Sequence, residues 1–278
     1  MSKLRDFVLK LLVAAIVLIG HYLADENKQP NSPLSTSLRQ QVVAAETSLQ
    51  SEGVEFSRQR SALHILPKDV RLPSYQVNDM LRGVDGKHNP VVYYYHDNLQ
   101  RMVYSMSASD IDDTHHLVNN FLEGYKPFDV DNVALPLYVL AQRKSYLLDE
   151  KQYFGKADVW QSSRQAYYYP RGDCEDHAIL LADWLIAMGE DARVALGDVD
   201  GQGHAWVVLF KDGKEYLLEA TQKRGLSRNK PYPLASLHPN YHPEFMFNRQ
   251  FFWANSGSKY TTRYSGNHWE QRSRVQAL

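Results

Sequence analysis

Apolar positions along this chain keep a helical period just after residue 172 and a strand period just after residue 191. Ala178, Leu181, Ala182 and Leu185 fall at i, i+3, i+4 and i+7, which predicts a helix over 174–188, opening at Cys174 and stopped by Gly189. The runs "ARVALGDV", "HAWVVLF" and "EYLLEAT" then read as strands. The last two are joined by "KDGK", and an Asp-Gly pair between apolar runs signals a two-residue hairpin turn. Helices, then a helix opening at a cysteine, then antiparallel strands make an α+β order.

Upstream the pattern is more broken. Residues 36–53, "TSLRQQVVAAETSLQSEG", read as a helix with Ser or Thr caps that ends at Gly53. "NPVVYYYHDNLQRMVYSM" has strand character with a turn at Asp97-Asn98. "DIDDTHHLVNNFLEGY" predicts a helix ending near Gly124, "DNVALPLYVLAQRKSYLLDE" a second with Pro136 in its first turn, and "KADVWQSSRQAYYYP" a short third closed by Pro170. Residues 25–35 form a Pro/Asn/Ser-rich linker.

Before that linker, Lys3, Arg5 and Lys10 flank an apolar run, and residues 7–24 make a stretch at the short end of the roughly 17–25 needed to span a bilayer. A signal peptide and a signal anchor both fit. Tyr22 is a poor match to a small-x-small cleavage site at Ala24, which favours an uncleaved transmembrane helix. With the positive flank first, the remainder is expected to be exported. The chain is then a single-pass protein of the inner (cytoplasmic) membrane, its main domain on the periplasmic side. The expected division is an anchor or signal peptide over 1–24, a linker over 25–35, a helical and strand region over 36–124, a catalytic core over 125–225 and an aromatic-rich extension over 226–278.

Composition adds one exclusion. The chain is 44% apolar and 23% charged, with a formal net charge of −1, so no basic field favours nucleic acid. The cysteine count matters more. Cys174 is the only cysteine, so no internal disulfide is available to it. A lone thiol is either a small buried hydrophobe or a reactive group.

The predicted hairpin gives the chemistry a geometry. With Asp212-Gly213 as the turn, Lys211 lies opposite Lys214, Trp206 opposite Glu219 and His204 opposite Thr221. His204 and Glu219 are then diagonal neighbours on one face, roughly 7–8 Å apart at Cα. A cysteine at a helix N-terminus, a histidine on a neighbouring strand and a carboxylate beside it are the parts of a Cys–His–acid acyl-transfer site.

In order, "YYYPRGDCEDHAILLADWLIAMGEDARVALG", "GHAWVVL" and "YLLEAT" resemble the core of the transglutaminase-like superfamily, in particular its bacterial cysteine-peptidase branch, over about residues 125–225. The resemblance implies a papain/transglutaminase-like core, with the cysteine-bearing helix packed on an antiparallel sheet. It implies Cys174 as nucleophile, His204 as base and Glu219 as orienting acid, where Asp or Asn is usual. The implied reaction is thiolate attack on a protein or peptide amide, giving a thioester that water hydrolyses. Candidate oxyanion donors are the Cys174 backbone N–H and an upstream side chain, Trp160 or Gln165. No cofactor is required. The similarity to a calcium-dependent group of these peptidases implies Asp173 and Glu175 as calcium ligands, although helix energetics alone also places acids there. An amine acyltransferase using the same triad, and an inactive binding or scaffold domain, remain the alternatives.

Other histidines do not make metal sites. His115 and His116 are adjacent, and His238 and His242 lie in "HPNYHPE", where two prolines oppose a helix.

Overall fold

The computed structural model describes residues 54–97, 100–226 and 232–278. Its organising element is a pair of Asp-Gly hairpins. Asp212 and Gly213 both take positive φ, 52° and 69°, as a tight hairpin turn requires. They join β9 (Gln202–Lys211) to β10 (Lys214–Leu218) with Lys211 opposite Lys214, and the register runs on to Val207 opposite Leu218. Asp200 and Gly201, at φ 53° and 83°, do the same between β8 (Asp191–Val199) and β9.

These strands form one edge of an eight-stranded sheet in the order β10-β9-β8-β11-β12-β13-β1-β2. The other members are β1 (Ser61–Ile65), β2 (Val70–Leu72), β11 (Tyr241–Phe247), β12 (Phe251–Asn255) and β13 (Trp269–Ala277), and each pairing is antiparallel. The segment 226–278, expected as an extension, thus supplies three strands of the same sheet. A smaller antiparallel sheet holds β3 (Val91–Asp97), β4 (Gln100–Ser109) and β5 (His115–Leu117), and β4 packs on β12 and β13. Two short strands, β6 (Ser145–Tyr146) and β7 (Arg171–Gly172), pair in parallel beside the cysteine.

Five helices occur among the described residues: α1 (Ser74–Arg82), α2 (Leu135–Arg143), α3 (Asp149–Gln152), α4 (Ser163–Tyr168) and α5 (Cys174–Ala187). Alternation along β9 explains where α5 sits. Ala205, Val207 and Leu209 face α5 and join Ala178, Leu181, Ala182 and Leu185 in the main core; Trp206 and Val208 face the other way, against Trp253, Tyr264 and Trp269. The sheet is therefore covered on both faces. α5 is buried nearly all round, from Glu175 to Leu185, so its apolar stripe is wider than its period suggested. The buried Asp183 on α5 receives Arg249 Nε at 2.6 Å and the Tyr125 backbone N–H at 2.7 Å, which fixes the helix against two distant segments.

Three expectations are corrected here. The α+β reading overcounted helix: the described chain is mostly antiparallel sheet with few helices. "DIDDTHHLVNNFLEGY" forms β5 and a 3-10 turn (Val118–Phe121), because His115 and His116 are drawn into sheet pairing and buried polar contacts. The two helices predicted over 131–150 and 156–170 shrink to α2 and α4, with β6 and α3 cut from the first. The membrane anchor expected over 1–24 and the helix over 36–53 lie outside the described residues. No helix among the described residues is long and apolar enough to cross a membrane, so the described structure gives no support to membrane attachment through a helix.

Candidate active site

The cysteine is placed by a glycine. Gly172, in β7, leads into α5, and a Cβ added there would lie 2.2 Å from Asp176 Oδ2 and 2.7 Å from Lys144 Nζ. The missing side chain leaves room for the Asp176 carboxyl and the Lys144 ammonium to pack against the backbone there. Asp173 then occupies the N-cap position, yet it makes no side-chain capping bond. Its backbone carbonyl instead accepts from His177, whose Nδ1 lies at 2.6 Å. The simple capping role for Asp173 is therefore not what the side chain does.

His204 and Glu219 meet. His204 Nε2 and Glu219 Oε2 are 2.8 Å apart, both side chains mostly buried. The glutamate's extra methylene is taken up by a full set of donors. Tyr241 Oη donates to Oε2 at 2.8 Å, while the Thr221 backbone N–H and hydroxyl donate to Oε1 at 3.0 and 2.5 Å. Burial would raise this carboxyl, but the hydrogen bond and charge of His204 and the two Thr221 donors outweigh it and hold Glu219 down at about 2. The acid is ionised and hydrogen-bonded at both oxygens, and His204 stacks on Trp206 with centroids 6.2 Å apart. With Nε2 committed to Glu219, Nδ1 is the ring nitrogen left to serve a thiol.

The thiol lies against the backbone N–H of Ala205, the residue after His204, and its Sγ is 3.4 Å from Glu175 Oε2. Burial, then the charge of Asp173, push it up to about 12; the Ala205 and Glu175 contacts only partly offset this. His204, Glu219, Thr221, Tyr241 and Tyr146 line an open cleft of about 590 Å³, whose lining does not include the partly buried Cys174. Tyr146 links the two. It sits on the cleft wall and its phenol is raised by burial and by the nearby charges of Cys174, Asp173, Glu175 and Glu219.

The two suggested oxyanion side chains are otherwise engaged. Trp160 Nε1 donates to Asp158 Oδ1 at 2.6 Å, and Gln165 closes a capping box with Ser162 at the start of α4.

A set of buried acids surrounds the cysteine. Asp149, Asp173, Glu175 and Asp176 bring an oxygen each within 4.8 Å of one another, and Asp173, Cys174 and Glu175 do the same. Each of the four acids has a buried oxygen with no hydrogen-bond partner: Asp149 Oδ1, Asp173 Oδ1, Glu175 Oε1 and Asp176 Oδ2. Burial first, then mutual repulsion, raises Asp149 and Glu175; burial raises Asp176 against the opposing charge of Lys144. The fully buried Lys144 is itself lowered by burial despite those acids, and its ammonium bonds to Gln161 Oε1 and the Arg171 carbonyl, both at 2.8 Å. Four buried acids that gather an oxygen each and that each keep an oxygen without a partner fit a hard divalent cation, which prefers oxygen ligands. Asp173 and Glu175 belong to this set, and the sequence reading missed Asp149 and Asp176 as their partners. Asp176 was visible in "GDCED", but only the tertiary fold brings Asp149 to it.

With this geometry in view, the comparisons take their place. The family model of the CEP76 peptidase-like domain matches residues 158–273, less than half the chain and a stretch that carries Cys174, His204 and Glu219. Protein CC2D2B of Homo sapiens is 36% identical over 62 residues, a match covering 22% of this chain and only 4% of that protein. These findings overturn the resemblance to a bacterial transglutaminase-like peptidase, because neither match points to that branch. They also remove the basis for an inner-membrane, periplasmic location, since the curated relative is a human protein.

Proposed function

We propose that the cleft hydrolyses amide bonds of a protein or peptide through a Cys174–His204–Glu219 site and a thioester intermediate. The observation that carries this reading is the His204–Glu219 pair at 2.8 Å, saturated with donors and set one residue from the backbone that touches the thiol. Similarity to the CEP76 peptidase-like domain over the same residues supports it.

In this reading Glu219 holds the imidazole with Nδ1 towards the thiol. His204 takes the thiol proton as Sγ attacks the amide carbonyl, then returns it to the leaving amine. Water, deprotonated by the same imidazole, releases the acid from the thioester. The Cys174 backbone N–H would be one donor to the oxyanion, and the hydroxyl of Tyr146, which lines the cleft, a candidate for another. Asp149, Asp173, Glu175 and Asp176 would hold a divalent cation such as calcium, whose charge would offset the part of the thiol's rise that comes from Asp173, burial being the larger cause.

The thiol's raised pKa and its absence from the cleft lining favour a second reading, a non-hydrolysing domain that uses the cleft to bind a partner. The deciding experiment follows cleavage of a dye-quenched unfolded protein by the full chain, in calcium and in chelator, with Cys174→Ala and His204→Ala as controls. The proposal expects cleavage in the wild type and a loss of at least about a hundredfold in either variant. Wild type indistinguishable from Cys174→Ala in both conditions would leave the binding reading. Incorporation of an added amine in place of hydrolysis would reassign the same site to acyl transfer.

A further inference from the structure

Away from the cysteine, three strands each carry one extra residue, and all three irregularities border one groove. In β13 the pairing with β12 skips Arg272; in β11 the pairing with β8 skips Glu244; in β4 the pairing with β3 skips Tyr104. A bulge re-aims a side chain that regular pleating would send elsewhere. Here Arg272 and Glu244 line a groove of about 310 Å³ between the two sheets, and Val103, next to the third bulge, lines it too. None of its lining residues belongs to the cleft of His204 and Glu219.

The chemistry of this groove is cationic with apolar walls. Arg101, Lys259 and Arg272 line it against the one lining acid, Glu244. Arg101 and Lys259 are exposed, and the Arg101 guanidinium lies 3.7 Å from the centre of the Tyr94 ring. Arg272 is 93% buried: its relative exposure is only 7%. Glu270 accepts its Nη1 at 2.9 Å, but its buried Nε finds no acceptor. A buried guanidinium donor without a partner is a costly arrangement, and it leaves Arg272 with hydrogen-bonding capacity unspent beside the groove. Tyr94 and Phe245 supply the apolar wall.

We propose that this groove binds an anionic group, a carboxylate or a phosphate monoester, borne on an aromatic or other apolar body. The anion meets Arg272 with Arg101 and Lys259 at the mouth, and the apolar body lies against Tyr94 and Phe245. Glu244 opposes the charge and sets how much of it the groove accepts.

The test is calorimetric titration of the full chain at low salt with phenyl phosphate, benzoate and inorganic phosphate. The expected result is saturable 1:1 binding of phenyl phosphate or benzoate, the tighter of the two naming the head group. Arg101→Ala and Lys259→Ala, both at exposed positions that leave the fold alone, should each weaken that binding about three- to tenfold, and Glu244→Gln should tighten it. The proposal is overturned by no saturable binding up to about 10 mM, or by affinities that Arg101→Ala and Lys259→Ala leave unchanged. Inorganic phosphate binding as tightly as phenyl phosphate would overturn the role of the apolar wall.

Discussion

Replacing Glu219 by Gln tests the strongest electrostatic feature of the cleft. Glutamine keeps the size of the side chain and removes the charge that faces His204. In the folded protein the carboxyl sits at about 2 against an ordinary value of 4.5, with the side chain 21% exposed. Its folded pKa is lowered, so the stabilisation it brings is fully present above the ordinary value and is lost as pH falls towards 2. A displacement of this size is worth about 3 kcal/mol at neutral pH, and by pH 3 linkage reduces it to about 1 kcal/mol. Urea unfolding of wild type and Glu219→Gln between pH 7 and pH 3 measures the difference directly. The two stabilities should converge as the solution is acidified. A gap that stays constant across the range would mean that the glutamate matters for packing or neutral hydrogen bonding, and that its negative charge contributes nothing.

The buried acids predict the opposite slope. Asp149, Glu175 and Asp176 are raised by burial, so in chelator their contribution to stability should be greatest below the ordinary carboxyl range and fall as pH rises through their folded values. Calcium at a hundred times its dissociation constant should restore about 2.7 kcal/mol near neutrality, seen as a thermal shift that Asp149→Asn and Glu175→Gln abolish. Alkylation of Cys174 in chelator should be slow until well above the ordinary thiol range, because the thiol is pushed up to about 12; calcium should move that titration down. A Cβ at Gly197 would sit 2.1 Å from the His242 backbone carbonyl, where β8 meets the β11 bulge. Gly197→Ala should therefore cost about 2–3 kcal/mol in chemical denaturation, and an unchanged midpoint would refute the contact.

Features governed by local rules were legible along the chain. The Asp212-Gly213 turn set the register of β9 against β10, and so put His204 and Glu219 on one face, because a two-residue turn leaves the pairing no freedom. The helix from Cys174 followed from its apolar spacing, and its end from Gly189, at φ 90°. Tertiary structure decided the rest. Tyr241 and Thr221 saturate Glu219, and Asp149 reaches Asp176, through contacts between segments far apart or just past a strand end, where no periodicity operates. The C-terminal strands enter the middle of the sheet, between β8 and β1, where the sequence suggested only an aromatic-rich extension. His115 and His116 left the helix their sequence suggested because sheet pairing and buried partners were worth more than local propensity. Period and turn chemistry act within a few residues; burial, charge and strand insertion are settled only when distant segments compete for the same space.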